Sequence, residues 1–259
     1  MTLAIGLDLG SRRTKAVLVE DGRIRESGVF ESWALEKAVV IDWVERMRAR
    51  CGSKDMPPIG TTGYSRRPAA DACRGMALTE IRAFALGAQL LAPGLRTLID
   101  IGGQDAKAMH LDETGKVDDF EMNDRCAAGT GKFFELVANS LGVPLAGLSD
   151  LAAKAAAPAR LSSTCAVFAE SEIIGRLADG IDKAALARGV FRAVAERLHA
   201  MLQRTGSGAP ALLVGGGANA ALAAELGSLL GFEVGLHPSG SFFGALGAAM
   251  HALRPHIAE

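Results

Sequence analysis

Two cysteines stand in closely similar surroundings. Cys126 precedes Ala127-Ala128-Gly129-Thr130-Gly131-Lys132 and an apolar run from Phe133, and Cys165 precedes Ala166-Val167-Phe168-Ala169-Glu170-Ser171-Glu172. Both lie at or just before predicted helix starts, where the dipole and unpaired amides favour thiolate over thiol. Asn123, Asp124, Ser163 and Thr164 are the adjacent candidate caps. Two thiolates are half of what a [4Fe–4S] cluster takes, and a symmetric dimer would supply the other half on its two-fold axis. Zinc and plain burial are open alternatives on spacing alone. Cys51 and Cys73, among small or apolar neighbours, read as core thiols.

The second chemistry-bearing pattern is a set of glycine turns, each following an apolar run. They are Leu3–Gly10 leading into Ser11-Arg12-Arg13-Thr14-Lys15, Thr97–Ile101 leading into Gly102-Gly103-Gln104-Asp105, and Ala211–Val214 leading into Gly215-Gly216-Gly217-Ala218-Asn219. A single glycine turn is explained by sterics. Two of these runs, however, carry an aspartate, Asp8 and Asp100, just ahead of the turn. A carboxylate at a strand end needs a partner, and Mg²⁺ held through water beside a nucleotide phosphate is one. Ser11, Thr14 and Lys15 are donors of the kind that grip phosphate oxygens. Nucleotide binding is therefore expected.

Two look-alikes are rejected. Gly129-Thr130-Gly131-Lys132 has Cys126 where a Walker A loop needs its first glycine, and Phe133 where it needs Ser or Thr. Gly215 to Ala220 fits G-x-G-x-x-A, with Glu233 near the place of a ribose-binding acid, but too little chain follows to complete a dinucleotide domain.

These residues need strands and helices to hold them. Each glycine turn reads as the end of a buried strand. After the first, Ala16–Val19 is a second strand and Asp21-Gly22 a hairpin turn; Lys107–Leu111 and Gly115-Lys116 repeat that plan. The repetition of Asp-x-Gly 92 positions apart indicates two related halves. Helical spacing covers 33–50 (Trp33, Val39, Val40, Trp43, Val44, Met47) and 77–91, and the chain from 126 to 205 reads as almost wholly helical. Within it Leu186, Val190, Val194, Leu198 and Leu202 recur every four residues, with Thr205-Gly206 as the stop. The last helix, 242–253, is built of small residues suited to close packing on a sheet.

Composition narrows the class. The 259 residues carry 28 Lys+Arg against 29 Asp+Glu, so there is no cationic surplus for nucleic acid or an anionic membrane surface. Aromatic residues are 5%, too few for base-stacking platforms. No 18-residue apolar stretch or signal peptide is read, and 4 cysteines without a C-x-x-C pair make no disulfide scaffold. The expectation is a soluble α/β protein of the cytoplasm.

The long motifs Asn123-Asp124-Arg125-Cys126-Ala127-Ala128-Gly129-Thr130-Gly131-Lys132-Phe133 and Ser162-Ser163-Thr164-Cys165-Ala166-Val167-Phe168-Ala169-Glu170-Ser171-Glu172 resemble those of a known family. It comprises the CoA-substrate-specific enzyme activases, namely 2-hydroxyacyl-CoA dehydratase activators and the ATP-binding subunits of benzoyl-CoA reductases. Leu98–Lys107 resembles the family's second phosphate loop and Gly244–Ala249 its C-terminal signature. The resemblance spans essentially the whole chain.

It implies an actin/hexokinase/Hsp70-like duplicated α/β fold, two lobes around an ATP cleft, with boundaries at 1–93 and 94–259. Helix 242–253 would return to the first lobe, and the cluster-binding region would be 123–205. It further implies a homodimer, or a paralogous heterodimer, bridged by one [4Fe–4S] cluster on Cys126 and Cys165. Ferredoxin or flavodoxin would donate the electron, and an iron–sulfur dehydratase or reductase would receive it at the expense of ATP. By position, Ser11, Arg12, Arg13, Thr14, Lys15, Gly102, Gly103, Gln104 and Asp105 hold the phosphates of ATP or ADP, with Gly129 grouped beside them. Gly215, Gly216, Gly217 and Asn219 lie by the adenosine. Asp8 and Asp100 organise Mg²⁺, and Gln104 orients the attacking water. Arg12 and Arg13 depart from the family's pattern, which has small residues there.

Two rivals are weighed. A sugar or acyl kinase of the same fold would need a carboxylate base such as Asp105 or Asp124, and leaves the paired Cys motifs unexplained. An ATP-binding redox sensor would use the cluster without turnover. Glu170 and Glu172 read as capping residues. Arg66-Arg67 reads either as a site for an acidic partner or as solvated surface.

Overall fold

The computed structural model describes residues 2–51, 56–123, 129–161 and 166–254. The chain divides into two compact units. One holds the residues up to Leu95, Leu111–Val117 and those from Ser241; the other holds Arg96–His110 and Asp118–Gly240.

The first unit opens with β1 (Leu3–Leu9), β2 (Arg13–Glu20) and β3 (Arg23–Glu31). They form an antiparallel meander whose β2–β3 turn is Asp21-Gly22, both at positive φ, as a type I′ hairpin requires. The Asp21 carboxylate accepts from the Thr2 amide and hydroxyl, which lowers its pKa. Next come α1 (Trp33–Arg50), β4 (Ile59–Gly63), α2 (Arg66–Cys73), β5 (Met76–Ala77) and α3 (Glu80–Leu91). β4 runs parallel to β1 and β5 parallel to β4, giving the order β3-β2-β1-β4-β5.

The apolar residues of β1 are buried as an inner strand's must be, while β3 is the edge and alternates between exposed and half-buried residues. α1 occupies the span its periodicity predicts, with Trp33, Val40, Trp43, Val44 and Met47 buried and Val39 facing out. Cys73 is buried and Cys51 half-buried against the same core, both as free thiols. Burial raises the Cys73 pKa.

The second unit repeats the sheet. β6 (Thr97–Ile101) pairs antiparallel with β7 (Ala106–Leu111), which neighbours β8 (Val117–Asn123). Then follow α4 (Gly131–Leu141), α5 (Leu148–Ala153), α6 (Ala166–Ala178), α7 (Lys183–Thr205), β9 (Ala211–Val214), α8 (Ala220–Leu230) and β10 (Val234–Leu236). β9 is parallel to β6 and β10 to β9, so the order β8-β7-β6-β9-β10 matches the first sheet strand for strand. A right-handed crossover cannot be made in a few residues, so helices fill the interval before each parallel strand.

α7 buries Leu186, Val190, Val194, Leu198 and Leu202 against α4, α5 and α8, with Phe134 and Phe191 5.1 Å apart between ring centroids. Its N-cap is Asp182, which accepts from the Ala185 amide. The predicted helical block from 126 to 205 is broken: Ala155–Leu161 is not helical, and α4 starts at Gly131. α3 likewise begins at Glu80, because Met76–Ala77 is taken by the sheet.

The last helix, α9 (Phe243–Ala252), packs in the first unit on β1, β4 and α3. Its small residues set the distance. A methyl added at Gly60 would run into the Ala248 carbonyl, and one at Gly247 into the Ala83 carbonyl, so backbone meets backbone with no room for a side chain. Replacing Gly247→Ala is therefore expected to force α9 away from α3 and destabilise the chain by about 2–3 kcal/mol. The measurement is the midpoint of chemical denaturation, and an unchanged midpoint would refute the packing argument.

Candidate nucleotide site and cysteine segments

In each unit the first strand ends in the same arrangement. Asp8 is the last residue but one of β1 and lies opposite Lys15 on β2; Asp100 holds that place on β6, opposite Lys107 on β7. Both pairs are bonded, Lys15 Nζ to Asp8 Oδ2 at 3.4 Å and Lys107 Nζ to Asp100 Oδ2 at 3.0 Å. The strand register makes this automatic, since directly opposed residues point to the same face. Position-by-position comparison of the two halves carries these lysines, yet their pairing with the aspartates is missed by reading strand and turn separately.

The first turn runs from Gly10 through Arg12. Ser11 is half-buried, Arg12 and Arg13 are exposed, and Lys15 is half-buried. Thr14 differs: it is fully buried, and its hydroxyl has no hydrogen-bond partner among the described residues. The Asp8 carboxylate lies beside Gly244 in the first turn of α9, where the helix dipole favours an anion.

The second turn is tighter. The Gly102 amide donates to the Asp105 carbonyl at 2.9 Å, and a Cβ at position 102 would collide with Asp105 Oδ1. Gln104 is exposed at the tip, whereas Asp105 is buried with Oδ2 2.8 Å from Lys107 Nζ. Asp105 is thus enclosed and held by an ammonium. The turn is also joined to a helix: the Gly131 and Lys132 amides donate to the Gly102 and Gly103 carbonyls at 2.9 and 3.0 Å. These are amides of the first turn of α4, which no intrahelical acceptor can satisfy. Thr130 is the N-cap residue, and Gly129 before it has φ +101°.

The third turn leans on the second strand pair's end. The Gly217 amide donates to the Ile101 carbonyl at 3.0 Å. Gly215 has φ +94°, and a Cβ there would meet Asp100 Oδ1 and the Ile101 carbonyl, while one at Gly216 would stand in open space. Asn219 is the N-cap of α8: its Oδ1 accepts from the Leu222 amide and its Nδ2 donates to the Gly217 carbonyl, both at 3.0 Å. Its side chain therefore shapes the turn.

Cys126, Asp124, Ser163, Thr164 and Cys165 lie outside the described residues. What flanks them is described: Asn123 ends β8, so it is no helix cap, α4 begins five residues after Cys126, and α6 begins at the residue after Cys165. Among the described residues there is no group of three or more His, Cys, Asp or Glu able to hold a metal ion. Arg66 is engaged locally, its Nη1 donating to the Gly63 carbonyl, and Arg67 is exposed. No single described helix is long and apolar enough to cross a membrane.

Two like-ordered sheets, each with an Asp-ended first strand running into a glycine turn, define a duplicated α/β fold of the actin/hexokinase/Hsp70 class. A glucokinase of the ROK family from Streptomyces griseus shares this fold at a TM-score of 0.58 and 14% identity. The chain belongs to the BadF/BadG/BcrA/BcrD ATPase family, whose model matches residues 5–252.

It is 36% identical over 256 residues to the (R)-2-hydroxyglutaryl-CoA dehydratase activating ATPase of Acidaminococcus fermentans, covering 96% of each chain. It is 37% identical over 258 residues to the activator of lactoyl-CoA dehydratase of Anaerotignum propionicum, again covering 96% of each. The solved activator of 2-hydroxyisocaproyl-CoA dehydratase from Clostridium difficile, with bound ADPNP, superposes with a TM-score of 0.87 at 32% identity, covering 97% of this chain and 94% of that one.

The contrast between neighbouring glycines can be measured. Gly215→Ala is expected to lower stability by about 1–3 kcal/mol through strain at positive φ. Gly216→Ala is expected to stay within about 0.5 kcal/mol of the parent. Equal denaturation midpoints for the two variants would overturn the assigned turn geometry.

Proposed function

We propose that this protein is an ATP-dependent reductive activator, coupling ATP hydrolysis to low-potential electron transfer into an iron–sulfur partner of the 2-hydroxyacyl-CoA dehydratase or benzoyl-CoA reductase type. The observation that carries the proposal is the link between the second glycine turn and α4. The turn's carbonyls hold the first amides of the helix that follows the Cys126 segment, so a displacement of the turn pulls on that segment.

Ser11, Arg12, Arg13 and Lys15 offer the phosphates of ATP or ADP a hydroxyl, two guanidinium groups and an ammonium, and Gly102–Asp105 offers a turn open to backbone contact. Thr14, being enclosed, supports the first turn from within. Gln104, exposed at the tip of the second turn, orients the attacking water. Asp8 and Asp100 each offer the hard carboxylate oxygens through which Mg²⁺ would be held by way of its own waters. Gly129 belongs with the phosphate contacts, and Gly215, Gly216 and Gly217 border the adenosine with Asn219 fixing their path.

Cys126 and Cys165 have the thiolate chemistry that iron–sulfur clusters require, and α6, starting directly after Cys165, presents N-terminal amides that favour the thiolate. A [4Fe–4S] cluster, one per dimer with two cysteines from each chain, supplies a one-electron relay when bound. The chain's own part is to hold two ligands, one directly before α6 and the other five residues before α4, whose first amides are tied to the second glycine turn. A homodimer is the simplest assembly and a paralogous heterodimer its variant. Ferredoxin or flavodoxin is the electron donor, and the reducing cytoplasm the compartment.

Anaerobic purification tests this. About four iron and four sulfide per two chains are expected at the dimer mass, and Cys126→Ser or Cys165→Ser should abolish iron retention. An iron-free monomer after anaerobic reconstitution would sink the proposal. So would cluster accessibility to a chelator that is identical with ADP and with an ATP analogue.

A further inference from the structure

We propose that Lys107 is a positioning residue for the second phosphate turn: it holds Asp105 down over Gly102 and Asp100 beneath the third turn, without touching nucleotide. This rests on Gly102–Asp105 being a phosphate turn. Lys107 is 2% exposed, and its ammonium bridges two carboxylates, Asp100 at 3.0 Å and Asp105 at 2.8 Å. An ammonium so enclosed has no path to a ligand. Its effect passes through Asp105, whose Oδ1 fills the space above Gly102 and whose carbonyl accepts the Gly102 amide. It passes equally through Asp100, whose Oδ1 lies where a side chain at position 215 would go. One buried cation thus sets two of the three glycine turns.

The first unit supplies the comparison. Aligning the repeats on Asp8 and Asp100 places Arg13 where Asp105 stands and Lys15 where Lys107 stands. Lys15 holds Asp8 at a longer 3.4 Å and keeps 16% of its side chain exposed. With an arginine at the position of the second carboxylate the first lysine stays half-buried, and with the carboxylate in place the second lysine is withdrawn into the scaffold. The same hairpin was turned to two uses: a cationic phosphate-facing turn and an internally clamped one.

The test is a charge-balance cycle on the full-length protein, with affinities for ADP and ADPNP measured by titration calorimetry and folding by thermal melting. Lys107→Met leaves two buried carboxylates without their cation and is expected to weaken nucleotide binding about tenfold or more. Asp105→Asn alone is expected to weaken it less. The double variant D105N/K107M, which removes one charge of each sign, should recover most of the affinity lost in K107M.

A purely packing role for Lys107 would lower the melting temperature without changing the affinity of the folded protein, or would make the double variant's loss the product of the two single losses. Either result overturns the proposal. If K107M does not fold, D105N decides it: parent-like affinity overturns the clamp, and weaker binding at an unchanged melting temperature supports it. Failure of the parent protein to bind either nucleotide would remove the functional reading itself, and this assignment with it.

Discussion

The cross-strand pairing of an aspartate with a lysine at the open end of each first hairpin is the interaction on which the site is built. An antiparallel register places Asp8 against Lys15 and Asp100 against Lys107, and each carboxylate sits one residue before its strand ends. A buried carboxylate without a cation is costly enough to protonate or to unfold its surroundings. The lysine removes that cost at short range, so a charged group can be kept at the foot of a glycine turn. Glycine then follows of necessity: Gly102 leaves room for Asp105 to fold back, and Gly215 leaves room for Asp100. The conspicuous glycines are consequences of the carboxylates they make room for.

From this hairpin end the structure reaches outward along backbone hydrogen bonds. The Gly102 and Gly103 carbonyls take the first free amides of α4, and the Ile101 carbonyl takes the Gly217 amide. Helix starts must be satisfied by something, and here the acceptor is another functional loop. α4 in turn is buried through Phe133, Phe134 and Val137 in the core it shares with α7. The second turn is therefore attached to a helix end through two carbonyls, and the well-packed core behind that helix resists gradual deformation.

Much of this was legible in the residues, and the reasons for the remainder are specific. The buried strands, the Asp21-Gly22 hairpin, α1 and α7 follow from periodicity and turn chemistry, which act over a few neighbouring positions. Equivalence of the two halves was visible in the repeated Asp-x-Gly and is matched by an identical strand order. The lysine partners escaped because a pair facing each other across a hairpin is fixed by the register of two strands, which the periodicity of either strand alone does not report. Asn219 and Thr14 illustrate the same limit. A glycine-rich loop ending in Asn reads as a ligand loop, and the structure adds that this Asn caps α8. Thr14 reads as a phosphate-gripping hydroxyl beside two arginines, and the strand turns it inward. The 154–161 interruption of the helical block escaped too, because alanine-rich composition favours helix wherever tertiary contacts do not forbid it. Here Gly189 on α7 lets the Ala159 backbone approach closely, and the segment follows that contact.

Duplication followed by charge divergence explains why two similar hairpins do not make two similar turns. If both copies had kept Asp at the position of Asp105, each lysine would be enclosed and the first turn would lose one of its two arginines. If both had kept Arg, neither carboxylate pair would clamp its turn, and the α4 amides would rest on a mobile acceptor. Having one of each separates attraction from rigidity. The exposed Arg12 and Arg13 put positive charge at the first turn, and the buried Lys107 holds the second through two carboxylates. The repeated hairpin, with Arg13 at the position of Asp105 among its differences, thus puts exposed charge at one turn and an internal clamp at the other.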